Sequence, residues 1–128
     1  MSTVNSLPSA NAHFISLNTA VTMTALYRSD KEAILATAYQ NQNILANSET
    51  FNRYAFDTLL AIDGCAGLRI YYGMDENLKV HAIIVPVDSE NEDILPDSES
   101  LMLVEPNIVE EGQRCPDLCP PPSPLNED

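Results

Sequence analysis

Residues Gly67 to Val87 read GLRIYYGMDENLKVHAIIVPV, two apolar-rich runs on either side of a short polar stretch. Tyr72 to Leu78 supplies turn chemistry, with Gly73 at one end and then Asp75 and Asn77, residue types that tolerate unusual backbone angles. The stretch therefore predicts a β-hairpin. With Tyr72 set opposite Leu78, Ile70 faces Val80 and Leu68 faces Ala82. These even-numbered residues form an apolar face expected to lie on helices. The odd-numbered face pairs Tyr71 with Lys79 and Arg69 with His81, and a slip of one residue would exchange the two faces. Ile83, Ile84 and Val85 are apolar at consecutive positions, which predicts cover on both sides of that end of the strand. Pro86 has no N–H to give a ladder and marks an edge or the strand's end.

Helices are expected upstream. Ser16 or Asn18 caps a helix running to about Ser29, with Met23, Leu26 and Tyr27 spaced for one face. Lys31 to Leu35 continues or restarts it. Ala36 to Ala46, rich in Asn and Gln, reads as a connection with Ile44 and Leu45 touching the core. A second helix is capped by Asn47 or Ser48, with Phe51, Tyr54, Ala55, Thr58, Leu59 and Ile62 at steps of three and four. Gly64 ends it, since glycine accepts the left-handed backbone that closes many helices.

The chain has 128 residues and 45% apolar composition, enough for one ordinary core. Its formal net charge of −13 is unevenly placed. Met1 to Val87 holds seven acids against five bases, whereas Asp88 to Asp128 holds twelve acids against Arg114 alone. This predicts a loose N-terminal arm (1–13), a nearly neutral core domain (14–87) and an acidic, proline-rich C-terminal arm (88–128). A polyanion would be repelled by such a field, so neither nucleic acid nor an anionic membrane surface is an expected partner. A basic partner, a cation or simple solubilisation fits the arm. The apolar runs are far short of a membrane span. MSTVNSLPSANAHF has neither a basic n-region nor an apolar h-region, so the default location is the cytoplasm. Export by a signal-independent route leaves no such trace.

Three groups carry candidate chemistry. Cys115 and Cys119 enclose Pro-Asp-Leu, a spacing a metal site tolerates. With Cys65 or His81 they would make an incomplete ligand set. A disulfide across the loop is a second reading, one that a cytoplasmic chain would keep reduced, and small residues in an ordered tail is the third. Cys65 itself reads as a core residue at a helix-to-strand junction. Arg69, Tyr71, Lys79 and His81 place a planar fork, a point charge and two hydrogen-bonding groups on one sheet face. Such a face suits a carboxylate or phosphate. It is equally an ordinary solvated sheet surface, or a receiver for the acidic arm of its own or a neighbouring chain. Leu101, Met102, Leu103 and Val104 form an apolar run able to add a strand or dock on another subunit. Catalysis needs a positioned base and an orienter. Two histidines, with no nucleophile elbow, phosphate loop or His-Glu metal motif, do not supply them, so no enzyme and no cofactor are expected.

The segment SETFNRYAFDTLLAIDGCAGLRIYYGMDENLKVHAIIVPVDSENEDIL, with the tail GQRCPDLCPPPSPLN, resembles a family of small uncharacterised bacterial proteins, largely from Bacteroidetes. The likeness spans about Ser16 to Asn126 and brings no activity with it. It implies that the Cys-Pro tail belongs with the hairpin as one unit.

The sequence thus predicts an α+β fold: two main helices packed on a small antiparallel sheet, followed by a long irregular acidic arm. The expected role is a non-enzymatic interaction or self-assembly protein whose arm docks on its own or a neighbouring chain, with itself or another protein as partner. The alternative is a small ligand- or metal-binding module using Cys115 and Cys119, or the Arg69, Tyr71, Lys79 and His81 face.

Overall fold

The hairpin is present in the computed structural model, which describes residues 6–96 and 107–127. Its first strand is Gly67–Met74 and its second Val80–Val87. Two short strands, Ser48–Thr50 and Gln113–Cys115, make a second sheet, and the α-helices are Leu17–Asp30 and Arg53–Leu60. In chain order these are α1, β1, α2, β2, β3 and β4. Among the described residues the fold is α+β, with two helices and two small antiparallel sheets, and no helix is long and apolar enough to cross a membrane. Leu101, Met102, Leu103 and Val104 lie outside the described residues.

The chain divides into two compact units of interleaved segments. The first draws on Met1–Ser9, Phe51–Gly73 and His81–Gly112, the second on Ala10–Thr50, Met74–Val80 and Gln113–Asp128.

In the first unit, the buried residues Leu59 of α2 and Ile84, Val85, Pro86 and Val87 of β3 form the core. Each fully buried aliphatic side chain contributes roughly 1.5–3 kcal/mol over its exposed state. The expected double cover of this end of β3 is present. Ile84 and Val85, which point to opposite faces of the strand, are 1% and 3% exposed. Along the strand's edge, Ile84 exchanges both backbone hydrogen bonds with Val109, at 2.8 and 2.9 Å, and Val87 bridges Asp93. Pro86 stands one residue before the end of β3 in a two-stranded sheet, as expected, and its carbonyl accepts from the Ile94 N–H at 2.9 Å. The missing proline N–H costs nothing where only the carbonyl is used.

The turn lies further along than the sequence suggested. The Asp75 N–H donates to the Lys79 carbonyl at 3.0 Å, and Asp75 Oδ1 accepts from the Asn77 and Lys79 amides at 2.8 and 3.0 Å. This carboxylate organises the loop, so the pairing that set Tyr72 opposite Leu78 is replaced by one closing at Asp75 and Lys79. Gly73 is a strand residue: a β-carbon there would meet Ile83 Cδ1 at 2.7 Å. The apolar even face is covered only in part: Ile84 and Pro86 of β3 are buried, whereas Ile70 is 54% and Tyr72 79% exposed. The chain after β3 meets β2 at Arg69.

In the second unit, Ser16 Oγ caps α1 by accepting from the Thr19 N–H at 3.1 Å, as its residue type predicts. The second helix, which belongs to the first unit, begins later than expected. Ser48 to Thr50 pairs with β4 in the register Ser48–Cys115, Glu49–Arg114 and Thr50–Gln113, which takes these residues out of reach of a helix. The cap is therefore Asn52, whose Oδ1 accepts from the Tyr54 N–H at 2.8 Å. Ile44 is buried, and its carbonyl accepts from the Val80 N–H at 2.9 Å.

Candidate functional site

The polar face of the hairpin meets acidic residues of the segment that follows it. Asp88 makes the local turn: its Oδ1 accepts from the Glu90 and Glu92 amides at 2.9 and 3.0 Å, and its N–H donates to the Glu92 carbonyl at 2.9 Å. Asn91 takes the left-handed backbone, φ 67°, that its residue type tolerates. The loop so closed presents Asn91 and Asp93 to β2. One guanidinium nitrogen of Arg69 donates to Asp93, and the other to the Asn91 side-chain oxygen and, at 3.0 Å, to its carbonyl. The Tyr71 hydroxyl donates to the second oxygen of Asp93. Partial burial pulls the Arg69 pKa down, but the hydrogen bonds and charge of Asp93 and Tyr71 outweigh it and the group stands above its ordinary value. His81 Nδ1 lies 3.0 Å from Glu110 Oε1.

Three of the four residues singled out on this face, Arg69, Tyr71 and His81, thus meet acids from the same chain. Lys79 does not join them. It sits in the turn, and its ammonium donates to the Gln42 carbonyl at 3.0 Å. The carboxylate that the Arg69–Tyr71 fork is suited to hold is Asp93, so the fork is filled from within.

Cys115 and Cys119 form a disulfide, with Cα atoms 4.4 Å apart. In that form neither offers a thiolate to a metal. Oxidising surroundings preserve such a bond and cytosolic reductants remove it. The Cys115 carbonyl accepts from the Asn47 N–H at 2.7 Å, so the cystine is anchored where β4 meets the chain before β1. Cys65 is half-buried and its thiol donates to the Gly67 carbonyl at 3.3 Å.

Two features escaped the sequence reading. Arg114, the lone base in the acidic arm, donates from Nε to the Val80 carbonyl at 3.2 Å and from one Nη to the Asn43 and Ile44 carbonyls at 3.2 and 3.1 Å. The second is a cavity of about 290 Å³ lined by Leu35, Tyr39, Ile44, Met74 and Leu78. Neither leaves a local motif, since carbonyl acceptors belong to every residue and the lining comes from three separate stretches. The Asp88 turn is of a more legible kind, because an Asp two and four residues before the amides that donate to it is an ordinary loop signature.

The end of the chain is also held. Arg28, in the last turn of α1, donates to the Leu125 and Glu127 carbonyls at 2.7 and 2.9 Å. Together with β4, this ties Gln113 to Glu127 to the second unit.

No protein-family model, no curated protein and no solved structure matches this chain.

Proposed function

We propose that this is a non-enzymatic self-assembly protein in which the acidic C-terminal segment braces its own chain and α1 carries the contact with a second copy. The observation behind this reading is the exposure of α1. None of its fourteen residues is buried, and Leu17, Met23 and Leu26 are 60%, 61% and 61% exposed. Phe14 and Ile15, just before the helix, are more than half exposed as well. Met23 and Leu26 stand three apart and so share a face.

Charge selects the occupant. No Asp, Glu, Lys or Arg precedes Arg28. A chain of net charge −13 resists self-association wherever carboxylates would face each other. The uncharged part of α1, Leu17 to Tyr27, is the stretch where two copies can meet without that penalty, in the self-complementary manner of a two-fold dimer. The acidic segment supports the same reading from the other side. Asp93, Glu110 and the Gln113 to Glu127 stretch are engaged within the chain rather than presented to a partner.

The experiment is native mass spectrometry across a protein concentration series, comparing the natural chain with Met23→Glu/Leu26→Glu and with Leu101→Glu/Leu103→Glu. Dimer in the natural chain, lost in the first variant and kept in the second, is the expected result. A natural chain that stays monomeric throughout ends the assembly reading. Loss of dimer only in the second variant moves the contact from α1 to Leu101–Val104.

A further inference from the structure

We propose that the second unit holds a binding site for a small neutral aromatic molecule in the cavity lined by Leu35, Tyr39, Ile44, Met74 and Leu78. The cavity is open to solvent, with Met74 61% and Tyr39 47% exposed, and its volume of about 290 Å³ is roughly twice that of the enclosed engineered cavity that takes up benzene. A single ring with substituents, or a fused bicycle such as indole, fits that space. The lining is aliphatic carbon, one thioether and one phenol ring. Nothing in it pairs with a charge, and a chain of net charge −13 disfavours an anion such as a fatty acid. The Tyr39 ring and the Met74 sulfur favour a flat π-system over an alkyl chain, through ring–ring and sulfur–ring contacts.

The walls are pinned in place. Lys79 Nζ holds the Gln42 carbonyl, the Val80 N–H holds the Ile44 carbonyl, and the Arg114 guanidinium ties the Asn43 and Ile44 carbonyls to that of Val80. These bonds lock residues 42–44 to residues 79–80 and hold Ile44 beside Leu78. Asn41 and Asn43, on either side of Gln42 and just before Ile44, adopt left-handed backbone, φ 63° and 56°, as Asn does readily.

Leu78 points to a site independently of the cavity's size. Its φ is 65°, a left-handed conformation that a β-carbon opposes and that glycine or asparagine would adopt far more easily. The turn does not use the leucine side chain: its hydrogen bonds run through Asp75 and the backbone. What the leucine contributes is a cavity wall. Residues held in sparsely populated backbone conformations cluster at ligand sites.

The test uses the full chain with ¹³C-labelled methyl groups on Leu, Ile and Met, titrated with indole and, separately, with octanoate. Saturable shifts of the Leu35, Ile44, Met74 and Leu78 methyls with indole are expected, with octanoate at least ten-fold weaker. Leu78→Asn keeps the left-handed backbone and removes the wall, so it should melt no lower than the natural chain and bind indole at least ten-fold more weakly. Should that variant fail to fold, Leu35→Phe, which fills the half-exposed side of the cavity, must show the same loss. Octanoate binding as tightly as indole, no saturable shift with indole, or unchanged indole binding in a folded variant overturns the proposal. Shifts of the same methyls with protein concentration alone overturn it too, and assign the cavity to a second copy. The residues differ from those of the α1 contact, so the two proposals fail separately.

Discussion

Replacing Arg114 with methionine tests whether a single cation holds three segments of the second unit together. Methionine keeps much of the length and apolar stem and removes all three donations, to the carbonyls of Val80, Asn43 and Ile44. The losses are unequal. The Ile44 carbonyl keeps the Val80 N–H at 2.9 Å, whereas the carbonyls of Asn43 and Val80 lose the guanidinium. A hydrogen bond from a charged donor is worth about 1.5–3 kcal/mol when buried. Arg114 is half-buried and water reaches part of the site, so about 1 kcal/mol per bond and 2–3 kcal/mol in all is the expected loss. With a urea slope of about 2 kcal/mol/M, the unfolding midpoint should fall by about 1 M or slightly more. Arg114→Lys separates geometry from charge: it keeps the cation but, as a point donor, reaches one carbonyl at a time, and should recover less than half of the loss. High salt provides the second control. Screening at 1 M shortens the reach of charge to about 3 Å, which removes long-range attraction to the surrounding acids and leaves short hydrogen bonds. Urea melts of the three proteins in low and high salt are the assay. A lysine variant as stable as the natural chain, or a methionine variant whose deficit vanishes in 1 M salt, refutes the fork and leaves only a charge effect.

Gly73→Ala should cost about 1–2 kcal/mol by overpacking. The atom in the way is the terminal Cδ1 of Ile83, 2.7 Å from the new β-carbon, so adding Ile83→Val should relieve it. The double variant is expected to be more stable than the two single losses predict by about 0.5 kcal/mol or more in urea melts, and strict additivity would show that the strand is held open by something else. Gly112→Ala should be the harsher change, because its β-carbon meets three atoms of the Phe51 ring at 2.5 to 2.9 Å and a planar ring cannot withdraw one end. Tyr27 provides a pH test. Burial raises its pKa, Arg114 opposes the rise and Glu32 adds to it, with a net shift upward. Its hydroxyl donates to the Ala46 carbonyl at 2.7 Å. A raised folded-state pKa means the contribution to stability is complete below the ordinary value near 10 and is lost as pH rises through the folded value. Denaturation at rising alkaline pH should therefore show a loss of stability that Tyr27→Phe lacks; identical pH profiles would count against this reading.

Local chemistry was legible wherever the determinant lies within a few residues. The Ser16 cap, the existence of the hairpin, the two-sided cover of Ile84 and Val85 and the low charge of the first two thirds all follow from neighbours along the chain. The second helix shows the limit. Phe51 to Ile62 has helical spacing, and Asn47 and Ser48 are good caps, yet Ser48 to Thr50 is a strand because Gln113 to Cys115, more than sixty residues away, offers it a ladder. The hairpin register failed for a related reason. Gly73 looked like turn glycine, but it is glycine because Ile83 occupies the space of a side chain.

The candidate site divides the same way. Residue type alone marked Arg69, Tyr71 and His81 as groups suited to an anion, and charge counting marked Asp88 onward as a source of anions. That Asp93 and Glu110 are the acids that meet them depends on the Asp88 turn and on the Val109 bridge to Ile84, which set where the chain returns. The sequence by itself determined the fold class, the Ser16 cap and the uneven charge, since these depend on backbone preference, period and composition. Only the tertiary structure decided which parts of the sheet faces are covered, what Arg114 holds and where the apolar cavity lies. Those outcomes depend on contacts between residues distant in sequence, whose partners are ordinary carbonyls and apolar groups that carry no local mark.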